Sequence, residues 1–92
     1  VIKSFRHAGL ERFFKTGSKA GIQPQHAAKL RRLLTALDAA KSPADLSQPV
    51  SYGLHRLKGA EKHWSVWVDA NYRLTFDFDE TDAILVDYRD YH

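Results

Sequence analysis

Cysteine is absent from this chain of 92 residues. That excludes disulfides, thiolate metal sites and a cysteine nucleophile. A small domain without such staples fits a reducing cytoplasm, which is the compartment expected here. Methionine is absent too, even at position 1, where Val1 stands. No apolar run approaches the roughly 20 residues that a membrane-spanning helix needs. The opening "VIKSFRHAGLERFF" lacks the continuous apolar stretch of a signal peptide. No HExxH, Walker or GxGxxG pattern occurs, and no Gly-x-Ser-x-Gly elbow marks a serine nucleophile. Repeats, linkers and low-complexity tracts are also missing.

What remains is globular in balance, with 43% hydrophobic and 27% charged residues. The length suits one domain, residues 1–92, with aromatics filling a small core. The net charge is +3, and its distribution says more than its total. Residues 1–41 carry nine Lys/Arg against Glu11 and Asp38, which makes that part +7. Residues 42–92 carry five Lys/Arg against nine acids, which makes it −4. A basic half of this kind attracts polyanions such as nucleic acid. A solvated helix face explains it equally well on charge alone.

The hydrophobic period changes along the chain. "VIKSF" alternates and predicts a short strand. "HAGLERFFKTG" places Leu10, Phe13 and Phe14 on one helical face, with Gly17 where a C-terminal cap belongs. Pro24 suits the first turn of a second helix, on which Leu30, Leu33, Leu34 and Leu37 recur at helical spacing. Lys29, Arg31 and Arg32 fall mainly off that stripe. Pro43 predicts an end near Lys41. Beyond Pro49 the period becomes alternating, in "YGLHRLKG", "HWSVWV", "YRLTFDF" and "AILVDYRDY". "DAN" makes a hairpin of the middle pair. A strand, two helices and three or four further strands predict an α+β domain with helices on a mainly antiparallel sheet.

The strand half gathers groups suited to cleaving RNA without a metal. These are His55, Arg56 and Lys58 in "LHRLKG", Arg73 in "NYRLTF", and Asp90, Tyr91 and His92 at the end. Such cleavage needs a base for the ribose 2′-OH, an acid for the leaving 5′ oxygen, and cations for the transition-state charge. An aromatic surface to hold a splayed base completes the set. Histidine suits proton transfer near neutral pH. Taken singly, each residue has a plainer role. His55 is a polar strand residue, Lys58 sits in a turn, and Arg73 pairs with Asp69 or Asp87. Asp90 blunts a sheet edge, Tyr91 packs, and His92 ends the chain. A metal-dependent nuclease built on Asp77, Asp79, Asp82 or Asp87 is less favoured, because those acids cluster around a turn. No metal or cofactor is expected on the family resemblance that follows.

The stretches "IKSF", "LHRLKG", "WSVWVDANYRLTF" and "DYRDYH", in this order, resemble the HigB toxins, a branch of the RelE superfamily of bacterial type II toxin–antitoxin systems. The resemblance implies a RelE-like, microbial-RNase-type fold. It also implies a ribosome-dependent endoribonuclease that cuts messenger RNA in the A site by attack of the 2′-OH on the adjacent phosphate. On this resemblance the active-site positions are His55, Lys58, Asp90, Tyr91 and His92, with Arg73 on the phosphate and Asn71 near a base. Lys29, Arg31 and Arg32 would grip ribosomal RNA. The implied partners are the ribosome with its messenger RNA and a helix-turn-helix, HigA-like antitoxin, through which alone operator DNA is bound. A non-catalytic ribosome- or RNA-binding module is the competing reading.

Overall fold

Local signals set the two helices. The computed structural model describes residues 1–57 and 63–91. Helix α1, Ala8–Thr16, starts where His7 is extended and its Nδ1 accepts the Leu10 N–H at 2.9 Å. A ring nitrogen thus does the work of the usual Ser or Asp cap. The helix stops at Gly17, whose φ of 80° lets its N–H return to the Phe13 carbonyl at 2.8 Å. A 3₁₀ turn over Pro24–His26 leads into α2, Ala27–Ala39. Leu30, Leu33, Leu34 and Leu37 are each at most 1% exposed. Burying each contributes about 2 kcal/mol, so packing rather than intrinsic helicity holds this short helix. The end comes before the Lys41 that Pro43 suggests. Ala40 is already extended and buried, and its N–H is shared between the Ala36 and Leu37 carbonyls.

Four strands follow: β1 His55–Arg56, β2 Trp64–Trp67, β3 Tyr72–Asp79 and β4 Asp82–Asp90. They lie in that order and every pair is antiparallel. One face carries Val66, Val68, Leu74, Phe76, Val86 and Tyr88 into a single core with the apolar sides of both helices. The expected N-terminal strand is reduced to two isolated parallel bridges along β4, Ile2 to Ala83 and Phe5 to Val86. A bulge in β4 prevents a continuous ladder. Leu85 adopts φ 56°, and the β3–β4 register shifts there by one residue. Because strand side chains alternate, that extra residue lets both Ala83 and Val86 point inward. It also sends Asp87, Arg89 and Tyr91 to the opposite, open face.

One glycine contact locks the helices' entry. A Cβ on Gly9 would lie 2.7 Å from the Cα of Gly21. Gly9→Ala gains up to about 1 kcal/mol of helix propensity, but backbone atoms cannot yield as a side chain does. Overpacking costs about 1–3 kcal/mol, so the variant is expected to be less stable. A urea midpoint at or above wild type would contradict this.

Candidate active site

The open face of the sheet bears a cleft of about 480 Å³ at the β1–β3 end, where the chain leaves β4. His55, Leu57, Ser65, Trp67, Arg73 and Tyr91 line it. Pairing explains the assembly. His55 lies opposite Ser65, Ser65 opposite Thr75, and Thr75 opposite Asp87. One step along, Trp67 faces Arg73 and Arg73 faces Arg89. Residues of one parity therefore meet on one face.

Arg73 is the most constrained of these side chains. Its Nη1 donates to the carbonyls of Asp69 at 2.7 Å, Ala70 at 3.1 Å and Tyr72 at 3.1 Å. Its guanidinium lies between two rings, 5.6 Å from the centroid of Trp67 and 5.9 Å from that of Tyr91. Arg89 approaches Tyr91 at 5.6 Å. Two like charges thus sit directly across the strands, an arrangement that costs stability by itself. Among the described residues neither arginine forms an ion pair with a carboxylate. The sequence suggested Asp69 or Asp87 as a partner for Arg73. In fact Asp69 offers only its backbone carbonyl, and Oδ1 of Asp87 accepts the Tyr88 N–H at 2.9 Å. This corner is a cationic pair framed by aromatics, without a carboxylate partner among the described residues, which suits a phosphate and a base.

Tyr91 is 44% exposed, and its N–H donates to the Asn71 carbonyl at 2.6 Å. Asn71 therefore reaches the site through its backbone. Trp67, 51% exposed, was not singled out from the sequence. Its ring packs on Gly53, where φ is 63° and an added Cβ would lie 2.7 Å from the ring. Arg89 was missed as well: counting from the β3–β4 turn pairs Arg73 with Tyr88, and only the bulge at Leu85 brings Arg89 opposite it.

Asp90 is placed elsewhere. Neighbours on a strand point to opposite faces. Asp90 lies opposite Tyr72 and lines a separate depression with His7, Gln23 and Tyr88, on the helix side of the sheet. Lys58 and His92 lie outside the described residues. On α2, the Lys29 Nζ lies 5.2 Å from the Tyr52 ring and the Arg31 guanidinium 5.6 Å from the Phe13 ring, while Arg32 is exposed. The acids of the β3–β4 turn have local work. Asp77 Oδ1 accepts the Phe78 N–H, and Asp82 meets the Val1 ammonium at 3.7 Å. Among the described residues no three His, Asp or Glu side chains form a metal-holding group.

A network missed in the sequence backs the cleft. His26, 4% exposed, bonds Tyr88 Oη through Nδ1 and Asp69 Oδ2 through Nε2 at 2.5 Å. Asp69 Oδ1 accepts the N–H groups of Tyr72 at 2.8 Å and Asn71 at 2.9 Å. Those backbone donors, then His26, hold the Asp69 carboxyl down at about 2. Burial pushes the Tyr88 phenol up, so it stays a donor. Because Asp69 binds protons less readily folded than unfolded, its contribution is complete above its ordinary value of 3.8 and fades as pH falls toward about 2. Urea midpoints taken across that window should fall more steeply for wild type than for Asp69→Asn. Parallel curves would refute this.

Comparison with known proteins assigns the chain to a family. The chain is 41% identical over 93 aligned residues to a protein named Endoribonuclease HigB from Proteus vulgaris, with both chains covered completely. Residues 3–92 match the family model for HigB-like toxins, described as the RelE-like toxin of type II toxin–antitoxin system HigB. Two helices on a four-stranded antiparallel sheet are the arrangement expected of that group. The chain therefore belongs to the HigB-like family of RelE-like toxins.

Proposed function

We propose that this chain is a ribosome-dependent endoribonuclease that cuts messenger RNA in the A site and so inhibits translation. The observation carrying this reading is the cleft in which His55, Arg73 and Tyr91 meet, with Arg89 and Trp67 completing it. The ribose 2′ oxygen attacks the adjacent phosphorus while its proton passes to a base. The bond to the 5′ oxygen breaks as an acid protonates that oxygen. The products are a 2′,3′-cyclic phosphate and a 5′-OH. His55 is one proton-transfer group, and Arg73 with Arg89 offsets the charge that grows on the phosphate. Tyr91 and Trp67 hold a base. Lys58, Asp90 and His92 are carried over from the family resemblance alone, with His92 and Asp90 as the second proton-transfer pair, although Asp90 lines the depression on the helix side of the sheet and not this cleft. The ribosome supplies alignment, which a small open cleft supplies poorly.

Family membership implies an antitoxin partner and an RNA target. We assign the antitoxin to the helix-turn-helix, HigA-like class and the compartment to the cytoplasm. No helix among the described residues is long and apolar enough to cross a membrane. Lys29, Arg31 and Arg32 dock on ribosomal RNA in this reading. Reversing the charge of Arg31 and Arg32 should weaken ribosome binding, and the slope of log affinity against log salt should fall by about one per lost phosphate contact. Unchanged affinity would return these residues to a solvated face.

The test is a single-turnover reaction on programmed bacterial ribosomes, with toxin dialysed against EDTA and messenger RNA ends mapped. Cuts within the A-site codon that leave a cyclic phosphate support the assignment. Binding without cutting makes the chain a binding module. Activity lost on dialysis and restored by a divalent cation makes it a metal-dependent nuclease.

A further inference from the structure

We propose that His26, buried behind the sheet, and Asp69, in the β2–β3 turn, are positioning residues for Arg73 and Tyr91. The inference rests on the endoribonuclease reading for its catalytic consequence, but not for its structural content.

The connection can be followed atom by atom. The Asp69 carboxylate can only accept, so His26 Nε2 carries a proton and gives it to Oδ2 at 2.5 Å, while Nδ1 meets the Tyr88 hydroxyl. The other oxygen of Asp69 ties down the N–H groups of Asn71 and Tyr72. The turn so held presents its carbonyls to the opposite face. The Asp69 carbonyl takes Arg73 Nη1 at 2.7 Å, and the Asn71 carbonyl takes the Tyr91 N–H at 2.6 Å. One carboxylate therefore fixes the two acceptors that aim the cation and the terminal aromatic. His26 is held in turn by the edge of Tyr72, with ring centroids 4.8 Å apart. A buried polar ring in the turn that leads into an otherwise leucine-faced helix costs stability unless its hydrogen bonds are made. A leucine would fill the same space. It would leave the turn held only by its own backbone bonds.

Catalysis by placement is sensitive to small displacement, and about 1 Å costs on the order of 100-fold in rate. The experiment uses the full chain carrying His26→Leu, which keeps bulk without hydrogen bonds, and His26→Gln, whose amide N–H reaches toward Asp69. Two quantities are read. One is the nitrogen NMR signal of the Arg73 guanidinium, whose rotation is slow while three carbonyls hold it. The other is the single-turnover cleavage rate beside ribosome affinity. In His26→Leu the Arg73 signal should average to that of a free guanidinium, and the rate should fall about 10- to 100-fold at unchanged affinity. His26→Gln should restore both substantially, which a purely space-filling role would not produce. An Arg73 signal unchanged in His26→Leu overturns the proposal, whatever the rate does. If Arg73 loosens and cleavage is unaffected, the positioning link stands and the assignment of Arg73 to the reaction falls. Should His26→Leu fail to fold, Asp69→Ala replaces it, since alanine removes both the oxygen that meets His26 and the one that holds the turn N–H groups. Unchanged Arg73 order in that variant overturns the proposal equally.

Discussion

Replacing Arg73 with alanine is expected to lower the single-turnover cleavage rate about 100- to 1,000-fold, the usual loss when one fixed charge donor to a transition state is removed. The reasoning is electrostatic. Three neutral carbonyls and two rings fix the guanidinium. None of them cancels its charge, so the charge is already in place before substrate arrives. Arg73→Lys should recover only part of the rate. An ammonium keeps the positive charge but not the planar guanidinium, which lies over the Trp67 and Tyr91 rings and, with Nη1 on the carbonyls, keeps its other N–H groups for a phosphate. Ribosome binding should change little, because docking is assigned to the helical half. A rate for Arg73→Ala within threefold of wild type, in a chain whose circular dichroism is unaltered, would remove Arg73 from the reaction.

Alanine at His55 should reduce cleavage by about 100-fold or more, in the range for loss of a positioned proton-transfer group. His55 is exposed on a two-residue strand, so its removal should move stability by no more than about 0.5 kcal/mol. Lost activity then cannot be blamed on unfolding. The informative comparison adds His92→Ala, alone and together with His55→Ala. If the two histidines serve one reaction as acid and base, the double variant should lose little more than the worse single one, because groups acting as a unit are not additive. Near-normal cleavage by the double variant would send the proton transfers to other groups and sink the assignment of both.

Much of the architecture was legible before any coordinates, for a physical reason. The leucine period of α2, the Gly17 cap and the alternation in "YRLTFDF" are local signals, and burial on one face enforces them. The order of strands and the α+β class follow from those signals. Family resemblance then singled out His55, Arg73 and Tyr91 for the site. The misses share a different character. "VIKSF" alternates like a strand, yet it pairs only at Ile2 and Phe5, because a bulge on another segment interrupts its ladder.

Composition and periodicity therefore determined which residues are buried and where helices begin and end to within a few positions, while the family resemblance pointed to the strand half for the candidate site. The tertiary structure decided which of the chemical groups meet. Leu85 takes a positive φ, shifts the phase of β4, and thereby puts Arg89 and Tyr91 beside Arg73 while Asp90 faces the helices. His26 reads as one more residue before a helix. It meets Asp69, 43 positions away, only once α2 has packed on the sheet. Side-chain direction on a strand reverses with every residue, so a single inserted position redistributes a whole site between two faces. That choice rests on long-range pairing, which no local pattern contains.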